Sequence, residues 1–283
     1  MLLVTTIAAV RARREELHRE SKRIAFVPTM GALHDGHLAL VRRGKEVADE
    51  VWASVFVNPA QFGPGEDLAR YPRDLERDRA LLAQEGVALL FAPASKEVYP
   101  RPPATVIDLP GLADGLCGAH RPGHFRGVAL VVAKLFNIVQ PEIAIFGAKD
   151  AQQVAVIRRM VDDLNFPVRV EVVPTVREVD GLALSSRNAY LDPAQRAAAK
   201  VFHHALQQGA AALRSGERRG AVVEAMIARE VGREPMMLLE YAAAVHPETL
   251  QPAATAVGRV LLAVAARVGD TRLIDNLTVE VLG

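Results

Sequence analysis

Two histidines three residues apart offer the clearest chemistry in the chain. His34 and His37 belong to the segment PTMGALHDGH, residues 28–37, which follows a predicted strand and opens a predicted helix. Gly31 and Gly36 permit a tight turn and a close approach of the backbone to a ligand. The N–H groups at a helix N-terminus favour phosphate, and imidazoles can hydrogen-bond phosphate oxygens and transfer protons near neutral pH. The segment therefore predicts a nucleotide site.

The same histidine pair has two other interpretations. Histidines at this spacing are often structural or simply exposed. A zinc site is possible too, but it needs a third ligand, for which the sequence offers Cys117, His120 or His124. The combination of strand, glycines and histidines favours the nucleotide interpretation.

A second junction of strand and helix carries a lysine. In FGAKDAQQ, residues 146–153, Gly147 ends a predicted strand and Lys149 follows it. A lysine there can meet a phosphate, and Gln153 can hydrogen-bond a hydroxyl or carboxylate. Taken alone, Lys149 could equally be an ordinary surface lysine, and Asp150 only a helix cap.

The segment LSSRN, residues 184–188, places two hydroxyls and a guanidinium in succession. Ser185, Ser186 and Arg187 can clamp a polyphosphate, since arginine binds phosphate in a bidentate way. The alternative is a polar turn that leads into the next helix.

Two further segments suggest a second substrate. FVNPAQF, residues 56–62, offers the amides of Asn58 and Gln61 beyond another predicted strand. Residues 111–127 contain five glycines and form a long irregular stretch, which is typical of a functional loop. Its Arg121 could recognise a carboxylate, although exposed arginines are commonly without such a role.

The elements that must position these residues alternate along the first part of the chain. Short runs rich in Val, Ile and Phe alternate with longer amphipathic segments, as in βαβ units on a parallel sheet covered on both faces. The predicted strands are 23–28, 51–58, 87–91, 142–146 and 168–173. The predicted helices are 37–50, 73–85, 125–139 and 150–164.

After Pro174 the pattern changes. Residues 193–231 are helical in pattern without an intervening strand, and 238–245 and 257–268 are predicted strands. We therefore expect a Rossmann-like α/β domain over residues 1–175 and a smaller α+β domain over residues 176–283.

Composition excludes several classes of protein. Lys+Arg 34 against Asp+Glu 33 leaves no basic field for a nucleic-acid backbone, and 5% aromatic residues leave few platforms for stacked bases. A single cysteine, Cys117, excludes an intramolecular disulfide framework. The longest apolar run, Val260–Ala266, is far below the ~20 residues that cross a bilayer. We expect an intracellular protein without a membrane or nucleic-acid partner.

Seven motifs together resemble one known family along nearly the whole chain. They are PTMGALHDGH (28–37), FVNPAQF (56–62), YPRD (71–74), RPGHFRGV (121–128), KLFNIVQP (134–141), FGAKDAQQ (146–153) and LSSRN (184–188). Their joint order and spacing resemble the pantothenate synthetase family, the pantoate–β-alanine ligases of the HIGH-motif nucleotidyltransferase superfamily. The resemblance implies a Rossmann-like domain with a smaller lid, and condensation of pantoate with β-alanine through a pantoyl adenylate.

The resemblance also assigns residues to the substrates. It places the catalytic groups at His34, His37 and Lys149, with His37 as the proton donor. The positions it assigns to ATP are Met30, Gly31, Ala32, Leu33, His34, Asp35, Gly36, His37, Gly147, Ala148, Lys149, Asp150, Val176, Leu184, Ser185, Ser186 and Arg187. The positions it assigns to pantoate and β-alanine are Asn58, Gln61, Arg121, Val131, Val132 and Gln153.

The same resemblance implies a cytoplasmic homodimer that depends on Mg²⁺. It points to Asp78 as a support for hydrated magnesium, with Asp74 close enough in sequence to compete. One position departs from the family pattern, because Ala148 stands where a glutamate is usual beside the lysine. Since Lys149 and Asp150 are retained, we expect activity to persist.

Three rival functions share some of these features. A related nucleotidyltransferase would share the histidine motif but would not need the downstream segments. A non-catalytic nucleotide sensor would bind ATP without turnover, and retention of Lys149 and Ser185–Arg187 weighs against it. A nucleic-acid-binding module is disfavoured by the charge balance.

Overall fold

The apolar runs of the first part of the chain pair as a parallel sheet in the structure, a computed structural model that describes residues 1–282. Within this range, six strands lie in the order β1-β4-β3-β2-β5-β6. They are β1 (Leu2–Val4), β2 (Ile24–Thr29), β3 (Glu50–Val55), β4 (Leu89–Phe91), β5 (Ile143–Gly147) and β6 (Arg169–Val173). Each pairing is parallel, which confirms the predicted α/β class.

The order of the strands contains a switch point beside β2. The chain runs from β2 to β3 and β4 on one side, whereas β5 pairs with β2 on the other. The two segments that follow β2 and β5 therefore leave the carboxyl edge from adjacent strands. In open α/β sheets, ligands bind at such a point.

Helices connect the strands of this sheet. Because β3 and β5 are buried on both faces, their connections must supply apolar helix faces. Trp52 and Phe26 are among the largest fully buried side chains. The helices up to this point in the chain are α1 (Ile7–Arg19), α2 (Asp35–Val47), α3 (Leu75–Gln84), α4 (Ser95–Val98), α5 (Cys117–His120), α6 (His124–Val139) and α7 (Ala151–Asp163).

Two predicted elements near the motifs extend too far at their C-terminal ends. The strand predicted to reach Asn58 ends at Val55, because Asn58 caps a 3₁₀ turn, Pro59–Gln61, and accepts a hydrogen bond from the N–H of Ala60. The helix predicted over 37–50 is α2, which begins at Asp35 and ends at Val47.

The last part of the chain builds an antiparallel sheet with helices. Among the described residues its three strands are β7 (Met237–Val245), β8 (Gly258–Val268) and β9 (Thr271–Val281). Its helices are α8 (Pro193–Ala199), α9 (Val201–Arg214) and α10 (Gly220–Gly232). Phe202, Leu206 and Val264 belong to an apolar core that these elements enclose. The sequence did not predict β9.

The chain divides into two compact units. The first contains residues 1–109, 121–148 and 156–174, and the second contains 110–120, 149–155 and the chain from Thr175 onward. The division into domains 1–175 and 176–283 stays a prediction, and the two short stretches show that the second unit also draws on earlier residues. No helix among the described residues has the length and apolar character needed to cross a bilayer.

Candidate active site

The predicted histidine site lies at the start of α2, in the first unit. Gly31, with φ 85°, donates its N–H to Thr29 Oγ1 at 3.1 Å, and Thr29 Oγ1 donates to the carbonyl of Ser54 at 2.7 Å. The turn after β2 is thus tied to β3. A glycine is required, because its φ is one that L side chains rarely adopt.

Both imidazoles accept main-chain hydrogen bonds. His34 Nδ1 accepts from the N–H of Gly36 at 3.2 Å, and His37 Nδ1 accepts from the N–H of His34 at 3.4 Å. The ring centroids lie 4.1 Å apart. Because Nδ1 is the acceptor, the neutral rings carry their protons on Nε2. Each ring therefore has a donor suited to a phosphate oxygen.

A buried carboxylate holds the loop that leads to the histidines. Asp78 in α3 is 1% exposed, and its two oxygens accept from the N–H groups of Ala32 and Leu33, both at 2.8 Å. A Cβ on Gly31 would lie 2.8 Å from Asp78 Oδ2. Burial raises the pKa of Asp78, and the two N–H donors only partly oppose that shift. The loop geometry is thus fixed from a position 45 residues downstream of Leu33.

Asp74, the competing carboxylate, has a local role. It caps α3, and its Oδ1 accepts from the N–H of Arg77 at 3.0 Å. Neither aspartate belongs to a preformed metal site. The described residues contain no group of three His, Cys, Asp or Glu side chains that could hold an ion. The zinc alternative for the histidine pair therefore gains no support from residues 1–282.

The amides predicted for the second substrate lie side by side beyond β3. Asn58 Nδ2 donates to Gln61 Oε1 at 3.0 Å and to the carbonyl of Gly127 at 3.1 Å. Tyr99 donates its hydroxyl to Asn58 Oδ1 at 3.0 Å. Burial raises the pKa of Tyr99 to about 12, so the hydroxyl stays a donor at neutral pH. Asn58 is therefore held in one orientation.

Gln61 connects the two predicted substrate regions. Its Nε2 lies 3.0 Å from Met30 Sδ, so a residue assigned to pantoate touches one assigned to ATP. Helix α6 comes close beneath it, because a Cβ on Gly127 would lie 2.1 Å from the carbonyl oxygen of Ala60. On the same helix, Val131 and Val132 are buried, and their assignment to the methyl groups of pantoate stays a prediction.

Arg121 is paired with a carboxylate that the sequence did not single out. Its Nε donates to Glu66 Oε1 at 3.0 Å and its Nη2 to Glu66 Oε2 at 2.5 Å. Burial raises the pKa of Glu66, but the hydrogen bond and charge of Arg121 outweigh it and bring the pKa below its ordinary value. His124 Nδ1 lies 2.8 Å from the carbonyl oxygen of Gln61. Arg121, which the sequence predicted to recognise a substrate carboxylate, is thus paired in the structure with the carboxylate of Glu66.

The remaining predicted residues from Lys149 onward belong to the second unit, whereas Gly147, at the end of β5, and Ala148 belong to the first. Lys149 Nζ is 3.9 Å from Asp150 Oδ1. The N–H of Leu184 donates to the carbonyl of Val176 at 3.0 Å, and Ser185 Oγ accepts from the N–H of Arg187 at 3.3 Å. A short hairpin therefore carries Val176 and leads into the 3₁₀ turn Ser186–Tyr190. Gln153, on the first turns of α7, is partly exposed.

The sheet, its switch point and the histidine turn define an α/β protein of the Rossmann-like class. Residues 2–278 match the family model for Pantoate-beta-alanine ligase. The chain belongs to this pantoate-beta-alanine ligase family, which confirms the resemblance found in the sequence.

Relatives of known name agree with this assignment. A pantothenate synthetase of Moorella thermoacetica is 54% identical over 281 residues, which cover 99% of each chain. The crystal structure of pantothenate synthetase from Thermus thermophilus has a TM-score of 0.92 at 52% identity, covering 98% of this chain and 99% of that one. The pantoate-beta-alanine ligase of Francisella tularensis, complexed with beta-gamma ATP and beta-alanine, has a TM-score of 0.81 at 33% identity, covering 98% and 97%.

Proposed function

We propose that this protein condenses pantoate with β-alanine to pantothenate and uses ATP through a pantoyl-adenylate intermediate. The family match over residues 2–278 supports the ligase activity, and the ligands of the Francisella relative support ATP and β-alanine as substrates. The structural observation that best supports the proposal is the contact of Gln61 with Met30. This contact places an amide that could bind a small hydroxy acid beside the turn predicted to bind the nucleotide.

The reaction proceeds in two balanced steps. The carboxylate of pantoate attacks the α-phosphorus of ATP, and the bond to the leaving pyrophosphate breaks. The amine of β-alanine then attacks the acyl carbon, loses a proton, and displaces AMP as the amide forms. Activation is needed because a free carboxylate is a poor acyl donor, and no covalent enzyme intermediate is required.

The protein's own groups position the substrates and stabilise charge. The Nε2 donors of His34 and His37 suit the phosphate oxygens, and Lys149 supplies a cation. Ser185, Ser186 and Arg187 supply further donors to the polyphosphate. Gln61, Asn58 and Gln153 would orient pantoate, with Val131 and Val132 at its methyl groups. Residues 176–283 would act as a lid that excludes water from the adenylate.

Magnesium and assembly belong to the same proposal. Mg²⁺ commonly binds ATP enzymes through substrate phosphates, one or two carboxylates and water. Because both Asp78 oxygens accept main-chain hydrogen bonds, Asp78 fits a role toward the ion through water better than direct ligation. When bound, the ion would neutralise phosphate charge. A cytoplasmic homodimer is proposed from the resemblance, and sedimentation equilibrium would measure its mass.

Isotope exchange between pyrophosphate and ATP tests the proposed reaction. With Mg²⁺ and pantoate present and β-alanine absent, we expect pantoate-dependent exchange, with AMP and pantothenate formed only when β-alanine is added. ATP binding without exchange would instead support the nucleotide sensor. Nucleotidyl transfer to a phosphate acceptor would support the related transferase.

A further inference from the structure

A polar network in the second unit meets the main chain of Lys149. Asn276, in the middle of β9, donates from Nδ2 to the carbonyl oxygen of Lys149 at 2.7 Å. Asn276 is 8% exposed, so its amide is largely shielded from competing water. The bond joins residues 127 positions apart and reaches the lysine through its backbone, which leaves the ammonium group to other partners.

The backbone of Asn276 is itself clamped by an ion pair. Arg177 donates from its two terminal nitrogens to Asp275, at 2.7 and 2.9 Å. The N–H of Asn276 donates to Asp275 Oδ1 at 2.7 Å, and Arg177 Nη2 donates to the carbonyl of Asn276 at 3.2 Å. Both polar groups of the Asn276 main chain therefore contact the pair.

The same arginine stabilises the hairpin that leads to Ser185. Arg177 Nη1 donates to the carbonyl of Gly181 at 3.0 Å, and the backbone of Arg177 bridges to Ala183. Asn188 Nδ2 donates to the carbonyl of Ala183 at 3.1 Å on the far side of the segment. One network thus contacts both the lysine and the approach to the serine–arginine motif.

We propose that Asn276, clamped by the Arg177–Asp275 pair, is a positioning residue that fixes the backbone of Lys149 for phosphate stabilisation. The inference rests on the proposed function, because it assumes that Lys149 acts on ATP. Asn276 acts through Lys149 and does not itself touch the substrate. A displacement of about 1 Å in a catalytic group can cost as much as 10²-fold in rate, so one such hydrogen bond can matter.

A double-mutant cycle on pyrophosphate exchange tests this role. We expect Asn276→Ala to lower kcat roughly 10- to 100-fold with little change in KM for ATP. In the Lys149→Ala background, Asn276→Ala should slow exchange no further, because its effect passes through the missing side chain. Thr278→Ala is the matched control, since Thr278 is an exposed polar residue of the same strand, and its kcat should match the wild type.

Each outcome separates this inference from the proposed function. Wild-type exchange in Lys149→Ala would remove Lys149 from the catalytic groups, and both assignments would fall. A slow Lys149→Ala with a normal Asn276→Ala, or with multiplying losses in the double variant, would overturn only the positioning role. If Asn276→Ala is unfolded at the assay temperature, the cycle is run with the isosteric Asn276→Asp, which cannot donate when ionised. Unfolding of both variants would assign Asn276 to stability alone.

Discussion

A buried carboxylate holds a predicted nucleotide-contacting segment in each unit, but the two carboxylates bind different groups. Asp78 is 1% exposed and accepts from two main-chain N–H groups of the turn after β2. Asp275 is 3% exposed and forms a bidentate pair with the guanidinium of Arg177. One carboxylate organises backbone directly, whereas the other does so together with a cation.

This difference in partners determines how much stability the protein loses when each carboxylate is replaced, and which group remains unsatisfied. The negative charge of Asp78 is met by neutral donors, so burial raises its pKa. Removing it would leave unsatisfied N–H groups. Removing the charge of Asp275 would leave a guanidinium, 18% exposed, without its counterion. The comparison therefore predicts a larger loss of stability in the second unit than in the first.

Asp275→Asn should give the largest effect. Breaking one side of a buried ion pair typically costs about 3–5 kcal/mol, because the remaining charge stays poorly solvated. We expect the midpoint of urea unfolding to fall accordingly. Exchange activity should fall as well, because Asn276 loses the ion pair that holds its main chain in place. Thr278→Ala serves as control. A loss no larger than that of Asp78→Asn would break the comparison between the two carboxylates.

Loss of a catalytic donor should have the next largest effect, in either unit. His37→Ala and Lys149→Ala should each slow adenylate formation by about 10²–10³-fold, the usual cost of removing one transition-state donor. Pyrophosphate exchange measures this step. His18→Ala and Lys96→Ala are matched controls at exposed positions of the first unit. Near-wild-type exchange in either test variant would remove that residue from the mechanism. The buried carboxylate of the same unit, Asp78 for His37 or Asp275 for Lys149, would then have a purely structural role.

Asp78→Asn should have a smaller effect on stability. The amide can accept only through its oxygen, so one N–H of Ala32 or Leu33 would face an NH₂ group, at a cost of about 1–3 kcal/mol. Because the pKa of Asp78 is raised in the folded state, its contribution is complete below the ordinary value of 3.8 and is lost as pH rises through the folded pKa. The stability gap between wild type and variant should therefore narrow as pH rises through that window. A gap that widens would refute the burial argument.

The parallel strands and the histidine turn could be predicted because local pattern specifies them. Apolar β-branched runs predicted β2, β3 and β5, and glycines beside histidines predicted the turn at the start of α2. Strand β9 was missed, since Asp275 and Asn276 are residue types that strands usually exclude. Their presence inside a strand is explained by Arg177 and Lys149, which contact them there. Asp and Asn residues inside a strand, where they are uncommon, thus indicate the position of the polar network.

Partners distant in sequence could not be predicted in the same way. The resemblance named Asp78, but only the fold shows that it binds the backbone of Ala32 and Leu33. Every residue type except proline has a main-chain N–H donor, so no sequence signal reveals which ones bind a distant carboxylate. Glu66 is a second example, because its partner Arg121 lies 55 residues away. The sequence therefore indicated the chemistry of the segments better than the contacts that hold them.

Glu66→Gln should give the smallest effect. Glu66 lies in the first unit but pairs with an arginine, as Asp275 does in the second, so this variant sharpens the comparison. The side chain of Glu66 is 22% exposed, far more than that of Asp275, whereas Arg121 at 12% is slightly less exposed than Arg177 at 18%. If Arg121 receives the carboxylate of β-alanine, Glu66 competes with it, so Glu66→Gln should lower KM for β-alanine by about two- to fivefold at unchanged kcat, the range of a partly exposed ion pair.

The pH dependence of Glu66 should run opposite to that of Asp78. Its pKa is lowered in the folded state, so its contribution to stability is present above the ordinary value of 4.5 and is lost as pH falls through the folded pKa. The stability gap between wild type and Glu66→Gln should thus widen as pH rises through this window. An unchanged KM for β-alanine together with that widening gap would make Glu66–Arg121 a structural pair and place the amino-acid carboxylate elsewhere. A raised KM would mean that Glu66 orients Arg121 for the substrate instead of competing with it.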